Sequence, residues 1–135
     1  MESIIINNDI KVYYIEATAF PEGIVPAFQQ LFSKFCVTVE RNVFGISRPE
    51  NGRIAYFAAA EEKEDDELLK QNLPFLWIAK GEYISLLITD FRKDNNSIRS
   101  AFEVLTAMPD IDRNGYCIEW YQGANDVLCM VKINP

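Results

Sequence analysis

The chain has 135 residues, with 13 Lys+Arg against 20 Asp+Glu for a formal net charge of −7, and it contains three cysteines and no histidine. The missing imidazole excludes Ser-His-Asp and Cys-His catalysis, a His-Glu-x-x-His zinc site and a histidine pH switch. The acidic balance argues against a nucleic-acid partner, whose phosphates call for clustered Lys and Arg.

A chain of this length is expected to form one domain over residues 1–135, with a core large enough to fold without disulfide or metal. Cys36, Cys117 and Cys129 are odd in number and contain no Cys-x-x-Cys pair, so they read as buried thiols of a cytoplasmic protein. The N-terminus lacks the pattern of a signal peptide, and no run of 18 apolar residues is present to span a membrane. No metal or cofactor is expected.

In chain order, Ile10–Thr18 is a β-rich run, followed by Ile24, Phe28, Leu31, Phe32 and Phe35 at helical spacing. Pro26 suits a first helical turn, which places a helix at about 23–35. Val43–Ser47 and Arg53–Ala60 read as strands flanking a hairpin turn at Arg48-Pro49-Glu50-Asn51-Gly52. An acidic connector at 61–72 and a short strand at 73–79 lead into a second module at about 80–133. There Gly81–Thr89 is a strand, Ser97 caps a helix that Pro109 ends, and Tyr116–Tyr121 and Val127–Ile133 are strands joined by residues 122–126.

The order strand, helix, strand, strand thus occurs twice, the first copy spanning about 9–60. Ile24/Ile98, Ala27/Ala101, Phe28/Phe102 and Leu31/Leu105 are all 74 residues apart, and the same offset aligns both following strands. At the first strands the offset is 71, as in Ile15/Leu86, Thr18/Thr89 and Phe20/Phe91. Agreement in element order and register points to an internal duplication. The predicted fold is α+β: two modules related by a pseudo-twofold axis form a mainly antiparallel sheet, with helices on one face and a central ligand pocket on the other.

Glu119 is the leading functional candidate, because Tyr116-Cys117-Ile118-Glu119-Trp120-Tyr121 is otherwise apolar or aromatic on both sides of the pleat. With the last turn centred near Ala124-Asn125, Glu119 lies across from Met130 and Tyr121 from Leu128, while Ile118 and Trp120 face the helices. The 74-residue offset adds Gly45, Ser47, Tyr56 and Ile54 to the same face. A carboxylate in such a setting needs a counter-charge, which a greasy cation would supply, with Tyr56, Tyr121 and Tyr83 offering cation–π contacts. The competing reading leaves Glu119 facing water on the open side of the sheet.

Glu61–Glu67 holds six acids and one lysine, a net −5 that leaves −2 for everything else, and reads as a solvated connector or as a steering patch for cations. Trp77, in the connector strand, reads equally as a pocket wall or a core residue.

Four stretches resemble the GyrI-like effector-binding domains, the ligand-binding half of many AraC- and MerR-type bacterial regulators. They are Phe20-Pro-Glu-Gly-Ile, Val43-Phe-Gly-Ile-Ser, Ala79-Lys-Gly-Glu-Tyr83 and Ile118-Glu-Trp-Tyr121. The resemblance covers nearly the whole chain and implies a pocket for hydrophobic, often cationic compounds, with a carboxylate on the penultimate strand; that position falls on Glu119. Phe44 stands where the family more often has Tyr. The implied lining is Glu119, Tyr121, Tyr56 and Trp77, completed by Tyr83, Phe44, Ser47 and Met130. Because the two modules take up all 135 residues, a stand-alone form without a helix-turn-helix is expected, like those of mobile gene cassettes and the gyrase inhibitor. A small-molecule binding protein is therefore the leading function. The alternatives are a hydrolase of strained electrophiles using Glu119, and a gyrase-inhibitor-like partner of another protein. No contact with nucleic acid or membrane is expected, and a homodimer is left open.

Overall fold

The computed structural model describes residues 1–35, 40–64 and 67–135. The fold is α+β. Its elements run β1 (Glu2–Ile6), β2 (Ile10–Glu16), α1 (Ile24–Phe32), β3 (Val43–Glu50), β4 (Arg53–Glu61), α2 (Glu67–Lys70), β5 (Phe75–Ile78), β6 (Gly81–Ile88), α3 (Ser97–Thr106), β7 (Cys117–Gln122) and β8 (Asp126–Lys132). Among the described residues the strands form one eight-stranded sheet in the order β1-β6-β8-β7-β3-β4-β2-β5, with every pairing antiparallel.

The duplication is visible in this order. One module contributes β2, α1, β3 and β4, the other β6, α3, β7 and β8, and they meet where β3 pairs with β7. Helix α1 buries Ala27 and Leu31 against Tyr13, Ala58 and Ala60. Its counterpart α3 buries Ala101 and Leu105 against Val127, Cys129 and Val131. These are the alanine and leucine pairs of the 74-residue repeat, so the sequence repeat is a repeat of helix-to-sheet packing.

The opposite face of the sheet is packed by its own side chains. Ile6, Val12, Phe44, Phe57, Ile78, Tyr83, Ile118 and Met130 form one buried cluster to which each of the eight strands contributes. The sheet must curl around such a cluster, because a flat sheet of this width keeps its outer strands apart. Short connections draw the two ends together. Residues 7–9 carry the chain from β1, at one end of the strand order, to β2, next to the other end. Residues 79–80 carry it back from β5 to β6, and the Lys80 amide donates to Asp9 Oδ1 at 2.8 Å where the two connections meet. Each module is thereby extended by a strand that precedes the other.

Several boundaries differ from expectation for local reasons. β1 reads in sequence only as the short apolar run Ile4-Ile5-Ile6, and in the structure its faces alternate, with Ile5 61% exposed between half-buried Ile4 and buried Ile6. The first hairpin turns on Asn51-Gly52 alone, with φ of 53° and 77°, and β3 runs on through Pro49. Proline is tolerated there because β7 pairs with β3 only as far as Ser47, leaving no ladder bond for Pro49 to donate. Ser97 is the first residue of α3 and not its cap; Asn96 holds the cap position, and the Ser97 hydroxyl donates to Phe91 O at 3.3 Å. Cys129 is buried and Cys117 half-buried, both as free thiols, and Cys36 lies outside the described residues.

Because Leu31 and Leu105 occupy equivalent, fully buried positions, Leu31→Ala and Leu105→Ala are each expected to cost about 2–5 kcal/mol, as urea denaturation will measure. Costs differing by more than about 3 kcal/mol would show that the modules are not packed equivalently.

Candidate functional site

The last hairpin decides where the carboxylate points. Gly123 takes φ of +68°, Asp126 opens β8, and its carboxylate accepts the Asp90 amide at 2.9 Å. The turn is therefore centred on Ala124, with Gln122 opposite Asp126, Tyr121 opposite Val127 and Glu119 opposite Cys129. This shifts by one residue the register expected from the sequence, which set Glu119 against Met130 and Tyr121 against Leu128. A one-residue slip exchanges the two faces of a strand. Glu119 and Tyr121 consequently lie on the helix-bearing face, while Ile118, Trp120 and Met130 join the cluster on the other.

On the helix-bearing face Glu119 is 7% exposed. Tyr56 Oη donates to its Oε1 at 2.8 Å and Tyr121 Oη donates to the same oxygen at 2.6 Å. Room for this arrangement comes from Gly45, which lies opposite Glu119 across the junction between modules. A Cβ at Gly45 would sit 2.0 Å from Tyr56 Oη and 2.6 Å from Glu119 Oε1. Above the tyrosines lies an aromatic roof: Phe20 stands 5.9 Å from Tyr56 between ring centroids, Phe91 5.7 Å from Tyr121, and Phe28 lies 6.2 Å and 5.6 Å from the two.

Burial raises the pKa of Glu119 above the usual 4.5, and the hydrogen bonds from Tyr121 and Tyr56 pull it back only in part. Burial first, and then the Glu119 charge, raises both tyrosines, so the two hydroxyls keep their protons and donate them. The same causes lift the Cys129 thiol to about 12 and the Cys117 thiol to about 11, so both sulfurs stay neutral. Among the described residues, the groups that act on this buried acid are all uncharged. It can hold a negative charge against an incoming cation, or a proton for transfer.

Of the expected lining residues, Glu119, Tyr121 and Tyr56 come together, and Ser47 shares their face through its pairing with Tyr56 and Cys117. Phe44, Met130 and Tyr83 lie in the opposite cluster, and the Tyr83 hydroxyl donates to Ala79 O at 2.5 Å. Trp77 is not a core residue. It is 53% exposed on edge strand β5, beside a shallow groove lined also by Asp9, Lys11 and Glu62. Of the acidic run, Glu62 accepts from Tyr13 Oη at 2.6 Å and pairs with Lys11 at 3.3 Å, while Asp65 and Asp66 lie outside the described residues. The roof residues Phe20, Phe28 and Phe91 escape sequence reasoning because they look like helix and loop packing. The signal was the repeated phenylalanine just past each module's first strand, 71 residues apart.

The chain matches no protein-family model and no curated protein in sequence. Solved structures do share its fold. An integron cassette protein from the mobile metagenome of Vibrio cholerae has a TM-score of 0.66 at 14% identity, covering 98% of this chain and 95% of that one. SAV2435, solved bound to tetraphenylphosphonium, has a TM-score of 0.64 at 12% identity over 98% and 94% of the two chains. A hydrolase from Listeria innocua has a TM-score of 0.64 at 10% identity over 98% and 90%.

Two outcomes follow from the geometry. Gly45→Ala is expected to cost about 1–3 kcal/mol in chemical denaturation, since neither contacting oxygen can retreat without breaking its hydrogen bond. The raised Glu119 value means that its contribution to stability is full below pH 4.5 and is lost as pH rises through the folded value. Glu119→Gln, which does not titrate, is therefore expected to melt above the wild type at neutral pH, by a margin that shrinks as pH falls toward 4.5. A variant less stable than wild type by the same amount at every pH would contradict this.

Proposed function

We propose that the chain is a binding module for hydrophobic, cationic small molecules, in the manner of GyrI-like effector-binding domains, with Glu119 as the counter-charge. The observation that carries this reading is a carboxylate 7% exposed with no Lys or Arg among the described residues acting on it. An unpaired buried charge is costly, and a ligand that brings the opposite charge removes the cost. The rings of Tyr56, Tyr121, Phe20, Phe28 and Phe91 supply apolar and π surface for the rest of such a ligand. Phe20, 45% exposed, marks the side from which it would enter, by displacing the roof between the two helices. The tetraphenylphosphonium held by SAV2435, a charge wrapped in phenyl rings, is the chemistry this arrangement suits, and the shared fold supports the comparison.

A second reading is favoured by one feature: the same carboxyl, with its raised pKa and two tyrosine hydroxyls, is equipped to protonate a leaving group, and one structural relative is a hydrolase. Turnover of a strained electrophile that stops in Glu119→Gln would favour it.

Titration calorimetry with tetraphenylphosphonium tests the first reading. Binding is expected to raise the melting temperature and to weaken by about 2 kcal/mol or more in Glu119→Gln. It should also weaken as pH falls through the raised Glu119 value, because protonation removes the counter-charge. Equal affinity for an uncharged molecule of the same shape, or indifference to Glu119→Gln, overturns the reading.

A further inference from the structure

We propose that the Glu119 site selects cations that carry an N–H group, namely protonated secondary or tertiary amines with aryl substituents, over quaternary onium ions of the same size. This rests on the reading above that the site takes a hydrophobic cation, and it names which kind. Its basis is an asymmetry between the two carboxylate oxygens. Both tyrosine hydroxyls donate to Oε1, at 2.8 Å and 2.6 Å, while among the described residues nothing donates to Oε2. Oε1 has both lone pairs engaged and is confined by the Gly45 backbone. Oε2 keeps its lone pairs in a side chain that is 7% exposed.

Oε2 is therefore the oxygen left open to an incoming donor, and the protein's own candidates to fill it are committed elsewhere or are poor. Tyr56 and Tyr121 are spent on Oε1. The thiols of Cys117 and Cys129 are weak donors. A ligand that enters displaces water from this oxygen and can bring the donor itself. An ammonium N–H places its charge about 2.7–2.9 Å from the carboxylate oxygen and fills a lone pair in the same contact. A quaternary ammonium or phosphonium delivers the charge but no hydrogen, and its carbon shell holds that charge farther away. The stronger hydration of an ammonium offsets part of the difference, which sets the expected preference near tenfold rather than far above it.

The test compares a diphenylmethyl tertiary amine with its N-methyl quaternary salt by titration calorimetry, at a pH above the Glu119 value and below that of the amine. The amine is expected to bind roughly tenfold more tightly or better, and the preference to fall to about threefold or less in Glu119→Gln. Equal or tighter binding of the quaternary salt overturns the proposal while leaving the cation pocket standing. A preference that persists unchanged in Glu119→Gln also overturns it, because the acceptor is then another group. Failure of both compounds to bind removes the cation pocket and this selectivity together.

Discussion

The site depends on a single carboxylate taken out of water with hydroxyl partners and no charged one. Burial raises the energy of ionised Glu119, and the two tyrosine hydrogen bonds return only part of it. Those bonds exist because three neighbouring strands bring their residues to one spot: β3 supplies the space at Gly45, β4 the Tyr56 hydroxyl, and β7 both Glu119 and Tyr121. Loss of the β3–β7 pairing would part Gly45 from Glu119 and dissolve the cluster.

The scaffold is nearly symmetric, and the site is not. Under the 74-residue repeat, the mate of Glu119 is Gly45 and the mate of Tyr121 is Ser47, but in the last strand the equivalence shifts: Tyr56 pairs with Ser47 as Val127 pairs with Tyr121, so the mate of Tyr56 is Val127 and not Met130. Glu119 and Gly45 are also direct neighbours across the junction, so both lie next to the pseudo-twofold axis. Acids at both positions would force two carboxylates into contact, and both could not ionise. An asymmetric pair solves this: one half supplies the charge, and the other a residue without a side chain to make room for it.

Much of this was legible in the sequence. The duplicated plan, the paired alanine and leucine packing positions and the unusual setting of Glu119 all follow from periodicity and constant offset. What escaped was decided by one or two residues of turn geometry. A three-residue turn with Gly123 in the left-handed region and an even-numbered turn look alike in sequence, yet they send Glu119 to opposite faces. Met130 is drawn into the expected site by the same register, Phe44 by the family resemblance and Tyr83 by its ring, and the fold packs all three on the far side. β1 stayed hidden because the exposed Ile5 is as apolar as Ile4 and Ile6, which masks the alternation of faces that its pairing with β6 reveals.

That pairing has a consequence for how the chain comes to be folded. Glu2 lies opposite Ser85, and the mate of β1, strand β5, lies against β2 in the other half. During synthesis from the N-terminus, the first strand has no place to dock until more than half the chain has emerged. Until then Ile4, Ile5 and Ile6 stay unpaired, and the first module lacks one of its edges. The exchange of edge strands therefore ties the two halves into one late, long-range closure. Neither half is a finished unit on the ribosome, however closely their sequences repeat.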